Sequence, residues 1–276
     1  MLEMAGPGSL SPARLRLLEP AGSCETDLQQ RLIAGTYNRP FIVDCGPLRF
    51  LHFAVDNVQS AMRLDEPDAL CLAYTRKMMA LLLFNAAPRR VLLLGLGGGS
   101  LAKYCHRYLP QADITVLEID PDVIALRDEF RIPPDDARFR IQQTDAVHYL
   151  AQPGARADAI LVDACDRDGL APALATPGLY ANLRRQLTLG GVLSMNICGE
   201  PDEVENHLAR IRGVFGQRLI VLPAREDGNT IVLGFRSGPQ AWDGATLDRH
   251  ARRLAQQFGL DFPRYARQMI YGPPLS

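Results

Sequence analysis

The chain has 276 residues, 47% of them hydrophobic and 22% charged, with a net charge of −1. That suits one large globular domain, or one with a small appended unit, and leaves room for a sizeable core. It argues against a nucleic-acid partner, because a near-neutral chain lacks the positive surface a phosphate backbone demands. No apolar run reaches the roughly 18 residues of a membrane span, and the N-terminus lacks a basic stretch followed by an apolar one. No membrane or secretory signal is therefore expected. The six cysteines, Cys24, Cys45, Cys71, Cys105, Cys165 and Cys198, form no C-x-x-C pair. In a chain this size that favours free thiols in a reducing cytoplasm over a disulfide framework. The five histidines are dispersed, so no metal site is expected.

Residues 1–35 carry Pro7, Gly8, Pro12, Pro20 and Gly22 and read as a loose N-terminal arm. Between Phe41 and Met62 short strand-like runs are separated by turn residues such as Gly46-Pro47. They predict a small antiparallel β subdomain over 36–66. Pro67 to Phe84 has few breakers and a mostly apolar face, which predicts a helix leading into a Rossmann-like domain over 67–276. Strands are expected there near 90–95, 113–118, 138–143, 158–163, 191–197, 218–223 and 229–236. Helices are expected near 99–109, 121–130, 176–188, 201–213 and 244–258. Such alternation builds a parallel sheet with helices on both faces. The segment from Pro223 to Asn229 is too short for a helical crossover, so the last two strands pair antiparallel. The expected fold class is α/β, a doubly wound Rossmann-like sheet of the methyltransferase type with a terminal antiparallel strand, plus the small N-terminal β subdomain.

The most informative stretch is Val91-Leu92-Leu93-Leu94-Gly95-Leu96-Gly97-Gly98-Gly99-Ser100, followed by Ile114-Thr115-Val116-Leu117-Glu118. An apolar run ends in a glycine loop, and a second run ends in a carboxylate about 20 residues on, the layout of a nucleoside site. Ser100 stands where a pyrophosphate fingerprint has its third glycine. The loop alone leaves NAD and an adenosyl sulfonium both open. The antiparallel end of the sheet lowers the NAD reading.

Ligands of such a sheet bind outside the carboxyl ends of the strands. Those ends carry the glycine loop, Glu118 and Asp120, Asp145, and then Asp163 and Asp166. Asp145 reads either as a helix N-cap or as an acceptor for an adenine amino group. Glu118 reads as a solvated strand end or a ribose acceptor. Asp120, before Pro121, has the N-cap role. Asp163 and Asp166 read as loop carboxylates binding backbone amides, or as functional groups. Asp163 directly follows a buried-looking strand, where partial desolvation raises a carboxylate into the range of base work.

Residues 36–236 resemble the spermidine synthase (polyamine aminopropyltransferase) family. The resemblance rests on the glycine loop through Leu101, Leu117-Glu118-Ile119-Asp120-Pro121-Asp122-Val123-Ile124, Thr144-Asp145-Ala146, Leu161-Val162-Asp163-Ala164-Cys165-Asp166, and Tyr180-Ala181-Asn182-Leu183 ahead of Leu189-Gly190-Gly191-Val192-Leu193. It implies decarboxylated S-adenosylmethionine as co-substrate, a small-molecule amine as acceptor, no metal, and a homodimer. By that likeness Gln59, Gly95, Gly97 and Gly98 line the cofactor pocket, Glu118 holds the ribose and Asp145 the adenine amino group. Asp163 is the general base, Asp166 binds the amine as a counter-charge, and Tyr74 lies near its far end.

The chain departs from the family pattern in three places. Gly97 stands where the family has an aspartate that contacts the aminopropyl ammonium. Arg76 and Lys77 follow Tyr74 where the family has polar or acidic residues; a cationic diamine would be repelled there unless both side chains face solvent. Arg167 replaces a proline. Without the loop carboxylate, the carboxylate of intact S-adenosylmethionine meets no repulsion. The expectation is that the chain accepts it at least as well as the decarboxylated form. The alternative functions are then an S-adenosylmethionine-dependent methyltransferase or a non-catalytic nucleoside-binding relative.

Overall fold

The structure, a computed structural model, describes residues 1–6, 13–154, 156–166, 169–170, 174–224, 228–237 and 243–271, without the side chains of 166, 169, 170, 270 and 271. The N-terminal unit is a five-stranded antiparallel sheet of β1 (Leu2–Ala5), β2 (Arg14–Leu17), β3 (Phe41–Cys45), β4 (Leu48–Ala54) and β5 (Asn57–Arg63), in sequence order across the sheet. The expected loose arm is corrected here. Its described residues supply β1, β2 and α1 (Glu25–Ile33). β2 alternates as a half-buried strand should, with Leu15 and Leu17 inside and Arg14 outside. Leu28 and Leu32 of α1 join that core with Met4, Phe41 and Val43. Four-residue strands are too short to stand out from the Pro- and Gly-rich text around them. Residues 7–12 lie outside the described residues.

The expected long helix before the glycine loop is shorter than its pattern. α2 spans Ala73–Met78 and tightens into a 3-10 turn over Met79–Leu83. All five residues of that turn are buried, so the segment is enclosed rather than laid on a surface by one face.

The second sheet contains β6 (Arg90–Leu94), β7 (Asp113–Glu118), β8 (Phe139–Gln143), β9 (Ala157–Val162), β12 (Leu187–Ile197), β13 (Leu219–Ala224) and β14 (Asn229–Phe235). Between β9 and β12 lie two two-residue strands, β10 (Cys165–Asp166) and β11 (Gly169–Leu170), paired antiparallel. The order is β13-β14-β12-β9-β6-β7-β8. β9, β6, β7, β8 and β12 run parallel, and β14 is antiparallel to both β12 and β13. The helices are α3 (Ser100–Tyr108), α4 (Pro121–Ala125), α5 (Ala146–Ala151), α6 (Pro177–Gln186), α7 (Pro201–Phe215), α8 (Gly244–Phe258) and α9 (Phe262–Tyr271). α9 was not expected, and α5 was foreseen only through the N-cap reading of Asp145. Apolar clusters cover both faces of the sheet, which is why Val91–Leu94 and Ala159–Val162 read as continuous apolar runs.

β9 returns to the opposite side of β6 from β7 and β8. The crevice at this switch in strand order is where such sheets bind ligands. Ion pairs fix the N-terminal sheet over it: Arg49 pairs with Asp44 and Glu129, Arg39 with Asp122, and Arg16 with Glu129.

Candidate active site

The glycine loop joins β6 to α3. Gly95 has φ +92°, and a Cβ there would stand 2.1 Å from the Asp163 carbonyl oxygen. The ends of β6 and β9 can approach this closely only without that side chain. Gly98 is held for packing, since a Cβ there would lie 2.6 Å from Ser60 Oγ and 3.0 Å from Phe130. It is not among the residues facing the crevice, in contrast to Gly95 and Gly97. Around Gly97 the nearest atom to an added Cβ is Ser60 Cβ, at 4.0 Å, so the position of the missing carboxylate is open.

Glu118, at the end of β7, is buried. Its Oε2 accepts from Leu96 N at 2.8 Å, and its Oε1 from Ile119 N and Asp120 N at 2.8 and 2.9 Å. It is no loose strand end; it ties the glycine loop to the neighbouring strand. Asp120 caps α4 by accepting from Asp122 N, with Pro121 in the first turn. Asp145 caps α5 by accepting from Val147 N at 2.7 Å, and it also lines the crevice.

Asp163, one residue beyond β9, accepts from the Tyr74 hydroxyl on Oδ2 at 3.2 Å and from Asn196 Nδ2 on Oδ1 at 3.0 Å. Burial raises its pKa, and the two hydrogen bonds pull it back. A raised carboxylate pKa is the direction that base chemistry calls for. Asp166 lies in β10, and its side chain falls outside the described residues, as does Arg167.

These residues share one cavity of about 840 Å³. Gln59, Tyr74, Gly95, Gly97, Glu118, Asp145 and Asp163 all line it. Its described lining holds six carboxylates, Glu118, Asp120, Asp145, Asp163, Glu200 and Glu203, and no lysine, arginine or histidine. Arg76 and Lys77 stay away from it, but neither simply faces solvent as the sequence allowed. Arg76 Nη1 donates to the Leu70 and Cys71 carbonyls at 2.8 and 2.5 Å. Lys77 is buried and donates to the Pro223 carbonyl. Among the described residues, no cluster of His, Cys, Asp and Glu is arranged to hold a metal ion.

Sequence reasoning missed Asn196, Glu200, Glu203 and a disulfide. Asn196 sits in the apolar run Val192–Ile197 of β12; a lone amide in a buried strand was the available signal. Glu200 and Glu203 flank the start of α7, where Glu203 Oε2 accepts from Glu200 N at 3.2 Å; the pattern reads as helix capping alone. Cys165 and Cys198 are joined, which corrects the expectation of six free thiols. They are 33 residues apart in sequence, but each follows the end of one of two adjacent parallel strands. Cys24, Cys45, Cys71 and Cys105 are free.

Residues 71–221 match the family model described as the spermine/spermidine synthase domain. The chain belongs to the spermine/spermidine synthase family. Among its relatives is a polyamine aminopropyltransferase of Chromobacterium violaceum, 36% identical over 225 residues, which cover 81% of this chain and 86% of that protein. One of Neisseria meningitidis is 36% identical over 221 residues, 79% of this chain and 84% of that protein. Solved structures share the fold. A structure described as a probable spermidine synthase from Corynebacterium glutamicum aligns over 86% of this chain and 94% of its own, with TM-score 0.64 at 20% identity. Human methyltransferase-like protein 13 in complex with SAH aligns over 68% of this chain and 93% of its own, with TM-score 0.62 at 22% identity. The expected Rossmann-like sheet with an antiparallel end is therefore the fold of this spermidine synthase-like chain. Its family is one of transferases.

Proposed function

We propose that this family member transfers an aminopropyl group from decarboxylated S-adenosylmethionine to a small amine, in polyamine synthesis. One observation carries the choice of substrates: six carboxylates and no cationic side chain among the described residues of one cavity. A sulfonium nucleoside with an ammonium tail and a protonated amine are both cations, and such a cavity concentrates them. A pyrophosphate-bearing dinucleotide would be repelled.

The residues divide the work. Glu118 Oε2 carries a single backbone hydrogen bond, which leaves it a lone pair for a ribose hydroxyl. Asp145 keeps its second oxygen for the adenine amino group, and Gln59 flanks the cofactor from the N-terminal sheet. Tyr74 and Asp166 hold the acceptor amine. Asp163 takes a proton from that amine, which frees the nitrogen lone pair. The nitrogen then attacks the aminopropyl carbon bonded to sulfur. The sulfonium supplies the leaving group: the C–S bond breaks, sulfur keeps the electron pair, and neutral methylthioadenosine departs. Holding nitrogen, carbon and sulfur in line is the enzyme's main contribution.

We also read the protein as a homodimer paired through its N-terminal sheet, and as cytoplasmic on the family resemblance alone, since the Cys165–Cys198 disulfide removes the free-thiol ground for it. Sedimentation at micromolar concentration tests the dimer.

A second reading rests on Gly97. With no carboxylate at that point, intact S-adenosylmethionine meets no repulsion from the loop, and methyl transfer becomes the competing chemistry. The test is incubation with either cofactor and a panel of diamines, with products resolved by mass spectrometry. Methylthioadenosine with an amine longer by one aminopropyl unit supports the first reading. S-adenosylhomocysteine with a methylated acceptor supports the second.

A further inference from the structure

Asn196 is a buried polar side chain that touches the proposed base and that the proposed chemistry leaves without a task. β12 and β9 are parallel, with Met195 opposite Val162, so Asn196 stands beside Asp163, just past the end of β9. It is 2% exposed. Its Nδ2 donates to Asp163 Oδ1 at 3.0 Å and lies 3.7 Å from Cys165 Sγ. The amide must face this way, since an oxygen turned toward the carboxylate would leave two acceptors in contact. Its own Oδ1 is buried and has no hydrogen-bond partner among the described residues. An unpaired buried amide oxygen works against folding. Two residues earlier on the same face, Ser194 is buried too, but it is satisfied by donating to the Met78 carbonyl at 2.8 Å. Ser194 therefore serves the packing of β12 on α2, whereas Asn196 weakens the strand it occupies.

We infer that Asn196 is a positioning residue for Asp163. It fixes the carboxylate so that Oδ1 is engaged and the remaining lone pairs, shared with the Tyr74 hydroxyl, face the acceptor amine. It also supplies one of two neutral donors that favour the ionised form of the buried carboxylate. This rests on the reading of Asp163 as the base.

The groups that face Asp163 are few. Tyr74 comes from α2 and Asn196 from β12, with the backbone of Gly95 from the glycine loop. The Cys165–Cys198 disulfide does not titrate. Glu200 and Glu203 line the cavity from α7, and Glu118, Asp120 and Asp145 from the ends of β7 and β8. Asp166 follows three residues along. All of the charged groups are acidic, so no cation among the described lining shares the task of keeping Asp163 ionised, and neutral donors matter more.

The test uses the full chain, aminopropyl transfer as readout, and pH profiles of kcat/KM. Asn196→Leu keeps the shape and removes the donor. The expected result is a fall in kcat of about tenfold or more, KM for the sulfonium cofactor within about twofold, and an acid limb moved to higher pH. The melting temperature moves little, because removal of the orphaned Asn196 Oδ1 offsets the hydrogen bond that Asp163 Oδ1 gives up. Asn196→Asp puts a second carboxylate beside the first and should move the acid limb further up. An Asn196→Leu enzyme with an unmoved acid limb and unchanged kcat overturns the inference. So does an Asn196→Asp profile that superposes on the parent. If Asn196→Leu fails to fold, the Asn196→Asp profile alone decides. Failure of the parent enzyme to transfer an aminopropyl group would instead overturn the underlying reading.

Discussion

Gly95 lies directly against Asp163, so that any side chain at residue 95 would stand 2.1 Å from the carbonyl oxygen of the proposed base. The same neighbourhood is tied by a hydrogen bond from Asp163 N to the Leu94 carbonyl at 2.9 Å. The glycine loop and the base are thus one unit, set by the spacing of two central strands. Gly95→Ala must push them apart and also occupy φ +92°. We expect it to cost about 3 kcal/mol or more in stability and to abolish cofactor binding. Gly97→Ala has open space at φ +50° and should cost about 1 kcal/mol. Chemical denaturation of both variants checks the contrast; equal losses would contradict it.

The base gives a pH signature. Burial raises the Asp163 pKa, and only the ionised carboxylate accepts a proton. Activity should therefore fall on the acid side, at a pH above the ordinary aspartate range. Asp163→Asn should lower kcat by about 10²- to 10⁴-fold and leave little acid-limb dependence. A retained rate with an intact acid limb would assign the base elsewhere.

The disulfide bears on the same loop. Cys165 lies two residues past Asp163 and Cys198 two before Glu200, so the bond crosses one wall of the cavity. Closing a 33-residue span restricts the unfolded chain by about 3–4 kcal/mol in the entropic account. Cys198→Ser, or reduction of the parent protein, should lower the melting temperature. It should also raise KM for the acceptor amine more than for the cofactor. Thiol titration in denaturant, with and without reductant, counts the pair; six reactive thiols without reductant would contradict it.

Much of the fold was legible because its signals are long. The five-residue run of β6 and the Glu118 position announce a nucleoside crevice, and the short Pro223–Asn229 link announces the antiparallel end. Strands of four residues, such as β1 and β2, carry too little pattern. Asp163 was legible because it follows an apolar strand. Asn196 was not, since its role exists only through the register of β12 against β9. Arg76 and Lys77 looked like an objection to a cationic acceptor because sequence order places them beside Tyr74. Arg76 turns back to the nearby Leu70 and Cys71 carbonyls, and only the Lys77 target, the Pro223 carbonyl, is settled by tertiary contact.

The N-terminal sheet offers a prediction at acid pH. Arg39 donates to both oxygens of Asp122 at 2.7 and 2.8 Å, and this holds the Asp122 pKa below its ordinary value. A depressed carboxylate contributes stability that is present above its unfolded-state pKa and lost as pH falls through its folded-state value. Both partners are about one-third exposed, so the contribution is about 1 kcal/mol or less. Arg39→Ala should lower the melting temperature slightly at neutral pH and by less at a pH below the ordinary aspartate range, where protonation of Asp122 weakens the pair in the parent. An equal loss at both pH values would assign the effect to packing.

The central claim is that an acidic cavity selects cationic substrates, and calorimetric titration of decarboxylated S-adenosylmethionine beside S-adenosylmethionine tests it most directly. Gly97 alone leads to the expectation that intact S-adenosylmethionine binds at least as well. With six carboxylates in the described lining, the account predicts the reverse, tighter binding of the decarboxylated form, whose tail carries a positive charge and no carboxylate. Equal or tighter binding of intact S-adenosylmethionine would contradict it. Gly97 would then mark an enzyme turned to another transfer.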